Sequence, residues 1–251
     1  MAGAGGSASG LDVLALNVAA PTKETARGLL EYLWAADEPL VVLGEITRGE
    51  GSRLILDVCR AAGYDVLTSA LSGRDRGVAL VARDTRLPVG EPTFPAGPRV
   101  VRARIGEATV LGVYGAASDP VRYGSRAQRD RKRAWLREFV ALVDAECRAD
   151  ASPLLLAGDL NIVDPGDRAG LPYVLAQERD AYEHLLDLGL LDAHRHATGG
   201  STPTWIDHSG VGCRYDHVFV RGLRVVSARV DDTPRHRGLS DHSAVLASLT
   251  T

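Results

Sequence analysis

The chain has 251 residues, 45% of them apolar and 24% charged, with a formal net charge of −3. This is an ordinary globular composition with enough length to bury a sizeable core, and it excludes a disordered, collagenous or polycationic chain. No run approaches the roughly 18 apolar residues of a membrane span, and the Gly/Ala/Ser-rich residues 1–10 lack the basic and apolar regions of a signal peptide. Cys59, Cys147 and Cys213 are odd in number and widely spaced, with no CxxC or Cys/His cluster, so they read as reduced thiols. The expectation is a disordered tail over 1–10, one domain over 11–251, a monomer, and a cytoplasmic location without membrane contact.

In chain order, residues 11–18 alternate apolar residues and end a first strand near Asn17. Residues 22–36 place Ala26, Leu29, Leu30, Leu33 and Trp34 at helical spacing. A strand over 40–44 and a helix over 53–62 follow. Strands over 65–69 and 77–82 flank a Ser-Gly-Arg-Asp-Arg-Gly turn at 72–77, and 100–105 with 109–114 reads as a hairpin around Gly106-Glu107. Residues 125–147 carry the longest helical pattern, with Trp135, Phe139 and Leu142 on its apolar face. A strand over 154–157, a helix over 177–188 and strands over 202–206, 214–220, 224–230 and 242–249 complete the chain. Helices interleave with both crossovers and hairpins, so the sheets are mixed.

Two segments share one pattern: Pro39-Leu-Val-Val-Leu-Gly44-Glu45 and Pro153-Leu-Leu-Leu-Ala-Gly158-Asp159. Each is proline, four apolar residues, glycine, carboxylate. Two buried strands that each end in an acid imply two similar half-structures delivering carboxylates to one rim. Asp159 and Asn161, two apart in extended chain, face the same way and set an anionic oxygen beside a neutral amide. Such a pair suits a hard divalent cation together with a phosphate. Asp216, in Arg214-Tyr-Asp-His217, opens an apolar strand, where an acid is unwelcome unless paired. Ser240-Asp241-His242 sets an acid beside an imidazole, a pairing suited to a general acid or base. Asn17, Tyr114 and Trp205 stand at strand ends or turns.

Taken in order, these motifs resemble the endonuclease/exonuclease/phosphatase superfamily, and within it the exonuclease III and abasic-site endonuclease branch. Leu-Asn17-Val resembles its first-strand motif, Gly44-Glu45 its metal-binding glutamate, Tyr114 its catalytic tyrosine and Gly158-Asp159-Leu160-Asn161 its signature. Trp205 is similar to its substrate-facing aromatic, and Asp216 and Asp241-His242 to its closing pair. The 178–195 segment, ending Asp192-Ala-His-Arg195, looks like that of the nuclease branch. The sequence departs from the pattern at Gly44, where glutamine is usual, at Gly115-Ala116 and at Pro203. These departures bear on recognition of an abasic nucleotide more than on the metal chemistry.

The resemblance implies an α/β sandwich of four layers, two packed mixed sheets with helices outside, pseudo-two-fold, with the site at one rim. It implies Mg²⁺-dependent phosphoester hydrolysis, with Mn²⁺ as substitute, on a phosphoester substrate such as DNA. Glu45 would hold the ion, with Asn17, Asp159, Asn161, Asp241 and His242 around it. Asp159 would deprotonate the attacking water, Asn161 and Tyr114 would hydrogen-bond the phosphoryl group, and His242, held by Asp216, would bind it or trade the proton. Arg235 and Arg237, just before Ser-Asp-His, are candidate phosphate contacts. Arg126, Arg129, Arg133 and Arg137 share one helix face that reads as solvated. His194 with His196, and His184 and His208, read as solvent-facing. His217 is open between packing and support of the site. Two readings follow: a DNA endonuclease or 3′ exonuclease of abasic-site repair type, and a phosphatase or phosphodiesterase of a small phosphorylated metabolite.

Overall fold

Strands apolar at every position can only be buried on both faces, and the structure, a computed structural model, stacks them as two mixed sheets between helices. It describes residues 10–87, 97–117, 125–149, 151–167 and 174–250, so the expected tail falls outside the described residues except for Gly10. The first half supplies β1 (Gly10–Asn17), α1 (Lys23–Ala36), β2 (Leu40–Ile46), α2 (Glu50–Ala61), β3 (Asp65–Thr68) and β4 (Gly77–Ala82). The middle supplies β5 (Val100–Ile105), β6 (Ala108–Tyr114), α3 (Arg126–Ala149), β7 (Leu154–Asp159) and α4 (Ala176–Asp187). Then come β8 (Leu191–Asp192), α5 (Ala193–Thr198), β9 (Trp205–Ile206), β10 (Gly212–Cys213), β11 (Asp216–Arg221), β12 (Arg224–Asp231), α6 (Thr233–His236) and β13 (Ala244–Thr250).

One sheet has the order β12-β13-β1-β2-β4-β3 and the other β5-β6-β7-β11-β8. Their centres repeat one motif. β13 is antiparallel to β1, β1 parallel to β2 and β2 antiparallel to β4, just as β5 is antiparallel to β6, β6 parallel to β7 and β7 antiparallel to β11. The duplicated Pro-apolar-Gly-acid segments are the equivalent strands β2 and β7.

Alternation within each strand sorts side chains between layers. Val13, Ala15, Val42 and Leu80 meet Val110, Leu155, Ala157 and Val218 between the sheets. Leu14, Leu16, Val41 and Leu43 face the other way, onto Leu29, Leu33 and Ile55 of α1 and α2. Leu111, Val113 and Leu156 pack on Trp135, Phe139 and Tyr182 of α3 and α4. α3 and α4 are also joined by a buried ion pair, Lys132 to Glu178 at 2.7 Å. The arginine face of α3 is solvated, with Arg126 and Arg133 each pairing with Asp130.

Three boundaries differ from the sequence reading. α2 begins at Glu50 rather than near 53, because Ser52 Oγ accepts from Thr47 N and Thr47 Oγ1 from Gly49 N, which closes the turn early. The strand expected over 202–206 shrinks to Trp205–Ile206, and Arg214 precedes β11 rather than opening it. The two-residue strands and α5 and α6 are too short to leave a periodic signal.

Gly158 limits how closely β6 and β7 can join. Its φ is 136°, and a Cβ there would lie 2.0 Å from the Val113 carbonyl oxygen. Gly158→Ala is therefore expected to destabilise the fold by about 2 kcal/mol or more, from both backbone strain and the clash. Urea denaturation checks this, and an unchanged midpoint would contradict it.

Candidate active site

The site sits where the parallel pairs of both sheets end. Asn17 is the last residue of β1, Tyr114 of β6 and Asp159 of β7, while Asp216 begins β11 directly opposite Asp159. Glu45 falls in a β-bulge between Gly44 and Ile46, with φ 61°. The extra residue re-aims the carboxylate from the helix side toward the rim. Asn161, φ 50°, is likewise in the left-handed region, where a short polar side chain is tolerated;. His242 stands two residues before β13 and is tied to Trp205 by an isolated bridge.

Asn17 is the hub. Its Nδ2 donates to Asp159 Oδ2 at 2.8 Å and to Glu45 Oε2 at 3.2 Å, and its Oδ1 accepts from Ala19 N at 2.8 Å, which fixes the orientation of the amide. Asn161 N donates to Asp159 Oδ1 at 3.0 Å. Tyr114 Oη donates to Glu45 Oε2 at 3.3 Å, and Arg76 Nη1 donates to Glu45 Oε1 at 2.5 Å. His242 Nδ1 donates to Asp216 Oδ2 at 2.7 Å, leaving Nε2 on the Asn17 side. Ser240 Oγ bridges the halves, donating to Asn17 O at 2.6 Å and accepting from His242 N at 3.0 Å. Thr204 Oγ1 accepts from both Tyr215 N and Asp216 N at 3.1 Å, which fixes the entry to β11.

Burial raises the Asp159 carboxyl well above the usual carboxylate range, and the neighbouring Asp216 adds to it; His242 and the Asn17 and Asn161 hydrogen bonds only partly oppose them. For His242 burial works against the charged ring, but Asp216 outweighs it and holds the imidazole well above its ordinary range. Tyr114 is pushed up by burial and by Glu45, so its hydroxyl stays a donor;.

The donor set fits a hard divalent cation. Ligand atoms of Asp159, Asp216 and His242 lie within 4.8 Å of one another, and Asp216 Oδ1 is buried without a hydrogen-bond partner. Asp159, Glu45 and Asp241 put three carboxylates on one cavity with Arg76 and His242, and Asp216 is buried behind His242. Carboxylate and amide oxygens of this kind suit Mg²⁺ or Mn²⁺.

The cavity, about 660 Å³, is lined by Asn17, Glu45, Tyr114, Asp159, Asn161, Trp205, Asp241 and His242, so the structure brings these predicted residues together. Trp205 leans on Tyr215, ring centroids 5.9 Å apart, and its Nε1 donates to Asp241 Oδ2 at 3.2 Å. Arg235 and Arg237 must be corrected: neither lines the cavity. Arg235 pairs with Asp232 at 2.9 Å and bonds Ser243 Oγ, and Arg237 pairs with Glu31. The arginine that does line it, Arg76, lay unremarked in the 72–77 turn. His194 is also corrected, since it is buried with Nε2 3.1 Å from Thr202 Oγ1 rather than facing solvent. His196 and His208 are exposed, and His184 is half-buried.

His217 belongs to a buried polar cluster beneath the site. Arg214 Nη1 donates to Asp192 Oδ2 at 2.7 Å and Nη2 to Asp164 Oδ2 at 2.8 Å; Tyr182 Oη donates to Asp192 at 2.9 Å, and His217 Nδ1 lies 3.3 Å from the same oxygen. Arg195 closes the group on Asp164 at 2.8 Å. The cluster ties the loop after Asn161 to the residues leading into Asp216.

The model of the Endonuclease/Exonuclease/phosphatase family matches residues 14–242. A 3′ phosphatase from Neisseria bound to product DNA hairpin superposes with a TM-score of 0.73 at 24% identity, covering 94% of this chain and 98% of the other. An AP endonuclease from Archaeoglobus fulgidus gives 0.75 at 21%, over 94% and 98%. An endonuclease/exonuclease/phosphatase from Beutenbergia cavernae gives 0.68 at 20%, over 96% and 71%. At these identities the likeness is one of fold. No curated protein sequence matches the chain. Among the described residues no helix is long and apolar enough to cross a membrane.

The buried cluster carries a pH signature. Burial alone would raise the Asp192 carboxyl, but the His217 hydrogen bond and Arg214 hold it well below its usual value. A carboxyl depressed on folding stabilises the fold above its unfolded pKa of about 3.9 and loses that contribution as pH falls toward the folded value. Stability is expected to decline below about pH 4, and Asp192→Asn, which leaves Arg214 short of a partner, to cost about 3–5 kcal/mol at neutral pH. Denaturation at pH 7 and pH 3 tests both, with a flatter acid decline expected in the variant; equal declines would take Asp192 out of that role.

Proposed function

The chain belongs to the endonuclease/exonuclease/phosphatase family, hydrolases of phosphoester bonds, and from that premise we propose that it is a Mg²⁺-dependent phosphodiesterase acting on DNA, as an abasic-site endonuclease or 3′ exonuclease. The observation that carries the reading is the buried Asp159–Asp216–His242 group beside Asn17 and Glu45 at the rim. The DNA assignment is supported by fold likeness to a 3′ phosphatase bound to DNA and to an AP endonuclease, and by the 178–195 segment.

Glu45 would hold the cation, with Asp241 and Asp216 supplying further oxygens, while Asn17, whose oxygen is turned to Ala19 N, orients Glu45 through its amide N–H. When bound, a divalent cation neutralises phosphate charge and stabilises the leaving oxygen. Asp159 takes the proton of the attacking water. Burial has brought its pKa up toward the working pH, which favours a general base, and Asn17 and Asn161 fix its two oxygens. His242, charged through Asp216, donates from Nε2 to a phosphoryl oxygen, and the Asn161 amide donates to another. Such preorganised donors act where charge develops in the transition state. Tyr114 holds the second oxygen of Glu45 and faces the same space. Trp205 offers an aromatic wall on which a base or sugar can rest.

A second reading, a phosphatase of a small metabolite, is favoured by one observation: Arg235 and Arg237 are engaged by acids instead of facing the cavity. The deciding experiment is a substrate panel with Mg²⁺: abasic duplex, 3′-phosphorylated duplex, nucleotides and sugar phosphates. Cleavage of duplex substrates that stops in EDTA is expected, with kcat at least about 10²-fold lower in Asp159→Asn. Full activity in EDTA would overturn the metal reading, and turnover of the small esters alone would overturn the DNA reading.

Asp216 sets the pH range. It raises both His242 and Asp159. Asp216→Asn removes the partner that keeps the imidazole charged, so the alkaline limb of kcat/KM should move to lower pH. It also removes a like charge from Asp159, which then ionises more readily, so the acid limb should move the same way. Limbs that stay in place would separate His242 and Asp159 from these roles.

A further inference from the structure

Arg76 immediately precedes β4, opposite the bulge that carries Glu45. Its neighbour Gly77 is closely packed, since a Cβ there would lie 2.2 Å from Ser69 Oγ and 2.5 Å from the Pro98 carbonyl oxygen. Arg76 is the one Arg or Lys side chain among the described residues lining the cavity. The guanidinium engages Glu45 and also reaches Tyr114, yet the side chain remains 52% exposed. A guanidinium carries five N–H donors in a planar fork suited to phosphate, so most of its donor capacity is left for a ligand.

The oxygens of the substrate decide what that capacity is for. An internal phosphodiester presents two non-bridging oxygens and one negative charge. A terminal phosphate presents three and close to two charges. His242 and Asn161 suffice for two oxygens, so a third, cationic donor matches the extra oxygen and charge of a monoester. We infer that Arg76 is a specificity-determining residue that donates to a terminal phosphate group and biases the cavity toward phosphomonoesters, such as a phosphorylated strand end, over internal diesters. This rests on the phosphoester-hydrolase reading above and narrows its substrate from an internal diester to a phosphorylated strand end.

The test compares p-nitrophenyl phosphate with bis-p-nitrophenyl phosphate in Mg²⁺, because the two share a leaving group and differ in the non-bridging oxygens. Loss of one charge-assisted contact made equally in ground and transition states raises KM rather than lowering kcat. Arg76→Gln should raise the monoester KM by about tenfold or more, with a clearly smaller change for the diester, and Arg76→Lys should recover part of the loss. Any effect transmitted through Glu45 would strike both esters alike, so the monoester-to-diester ratio isolates the direct contact. Equal losses on both esters, or none, would overturn the inference while leaving the hydrolase reading intact. Calorimetry with inorganic phosphate and Mg²⁺ decides without turnover: affinity should fall about tenfold or more in Arg76→Gln, and equal affinities in the two proteins would also overturn it. Failure of the hydrolytic reading itself would appear separately, as wild-type turnover undiminished in Asp159→Asn.

Discussion

Two carboxylates face each other across an antiparallel pair, and neither can reach bulk water. Asp159 and Asp216 are register partners on β7 and β11, at 1% and 0% exposure. Like charges in such a place cannot both persist unless positive charge is supplied. The surrounding site answers that demand. His242 brings a proton held by Asp216, Asn17 and Asn161 bring N–H donors to Asp159, and an Asp216 oxygen is left over for a cation. Every one of these partners comes from a different strand end, so the site requires both sheets to be in register. The same electrostatic tension that penalises the folded state holds the Asp159 carboxyl and the His242 imidazole both above their ordinary ranges, which is what the proposed base and charged donor require.

The pseudo-two-fold arrangement explains how the chain reaches this geometry. Each half builds a parallel pair flanked by antiparallel strands, and parallel strands end at the same edge. The two halves resolve that edge differently. In β2 a bulge turns Glu45 outward, where Arg76 can meet it; in β7 Gly158, at positive φ, packs against the Val113 carbonyl and the following Asp159 is buried. One half thus presents an accessible acid and the other a buried one. A cation and a proton acceptor need those two different environments. Divergent burial gives two environments to what is, in sequence, one repeated motif.

Much of this was legible in the sequence because it is written locally. Apolar runs closed by Gly-acid, and Asp-x-Asn at a strand end, fix strand, turn and side-chain direction within a few residues. The family resemblance then ordered the rest. What escaped notice depends on pairing at long range. Arg76 meets Glu45 across 31 positions, and its turn, Ser-Gly-Arg-Asp-Arg-Gly, reads as a solvated loop. Arg235 and Arg237 misled for the converse reason. Nearness to Ser240-Asp241-His242 in sequence placed them at the site, but Arg237 is claimed by Glu31, 206 positions away, and α6 holds Arg235 on Asp232. His194 and His217 look alike in sequence to exposed histidines, and only Arg214 and Asp192 packing around them makes them interior. An unpaired carboxylate can be predicted to seek a cation; which cation depends on the fold.

These pairings also shape how the cavity meets a substrate. Beyond the acids, Arg76 and His242, its described wall is largely neutral, with Val18, Ala19, Ala20, Pro21 and Leu239 beside the aromatic Trp205, Tyr114 and Tyr215. A long polyanion gains affinity from a track of cations that displace its counterions. Such a wall offers no track of that kind among the described residues; it can meet a sugar or base by shape and stacking. The chain's modest net charge of −3 points the same way, since no global field would draw in a polyanion. On the readings proposed above, recognition would concentrate at one phosphoryl group beside His242 and Arg76.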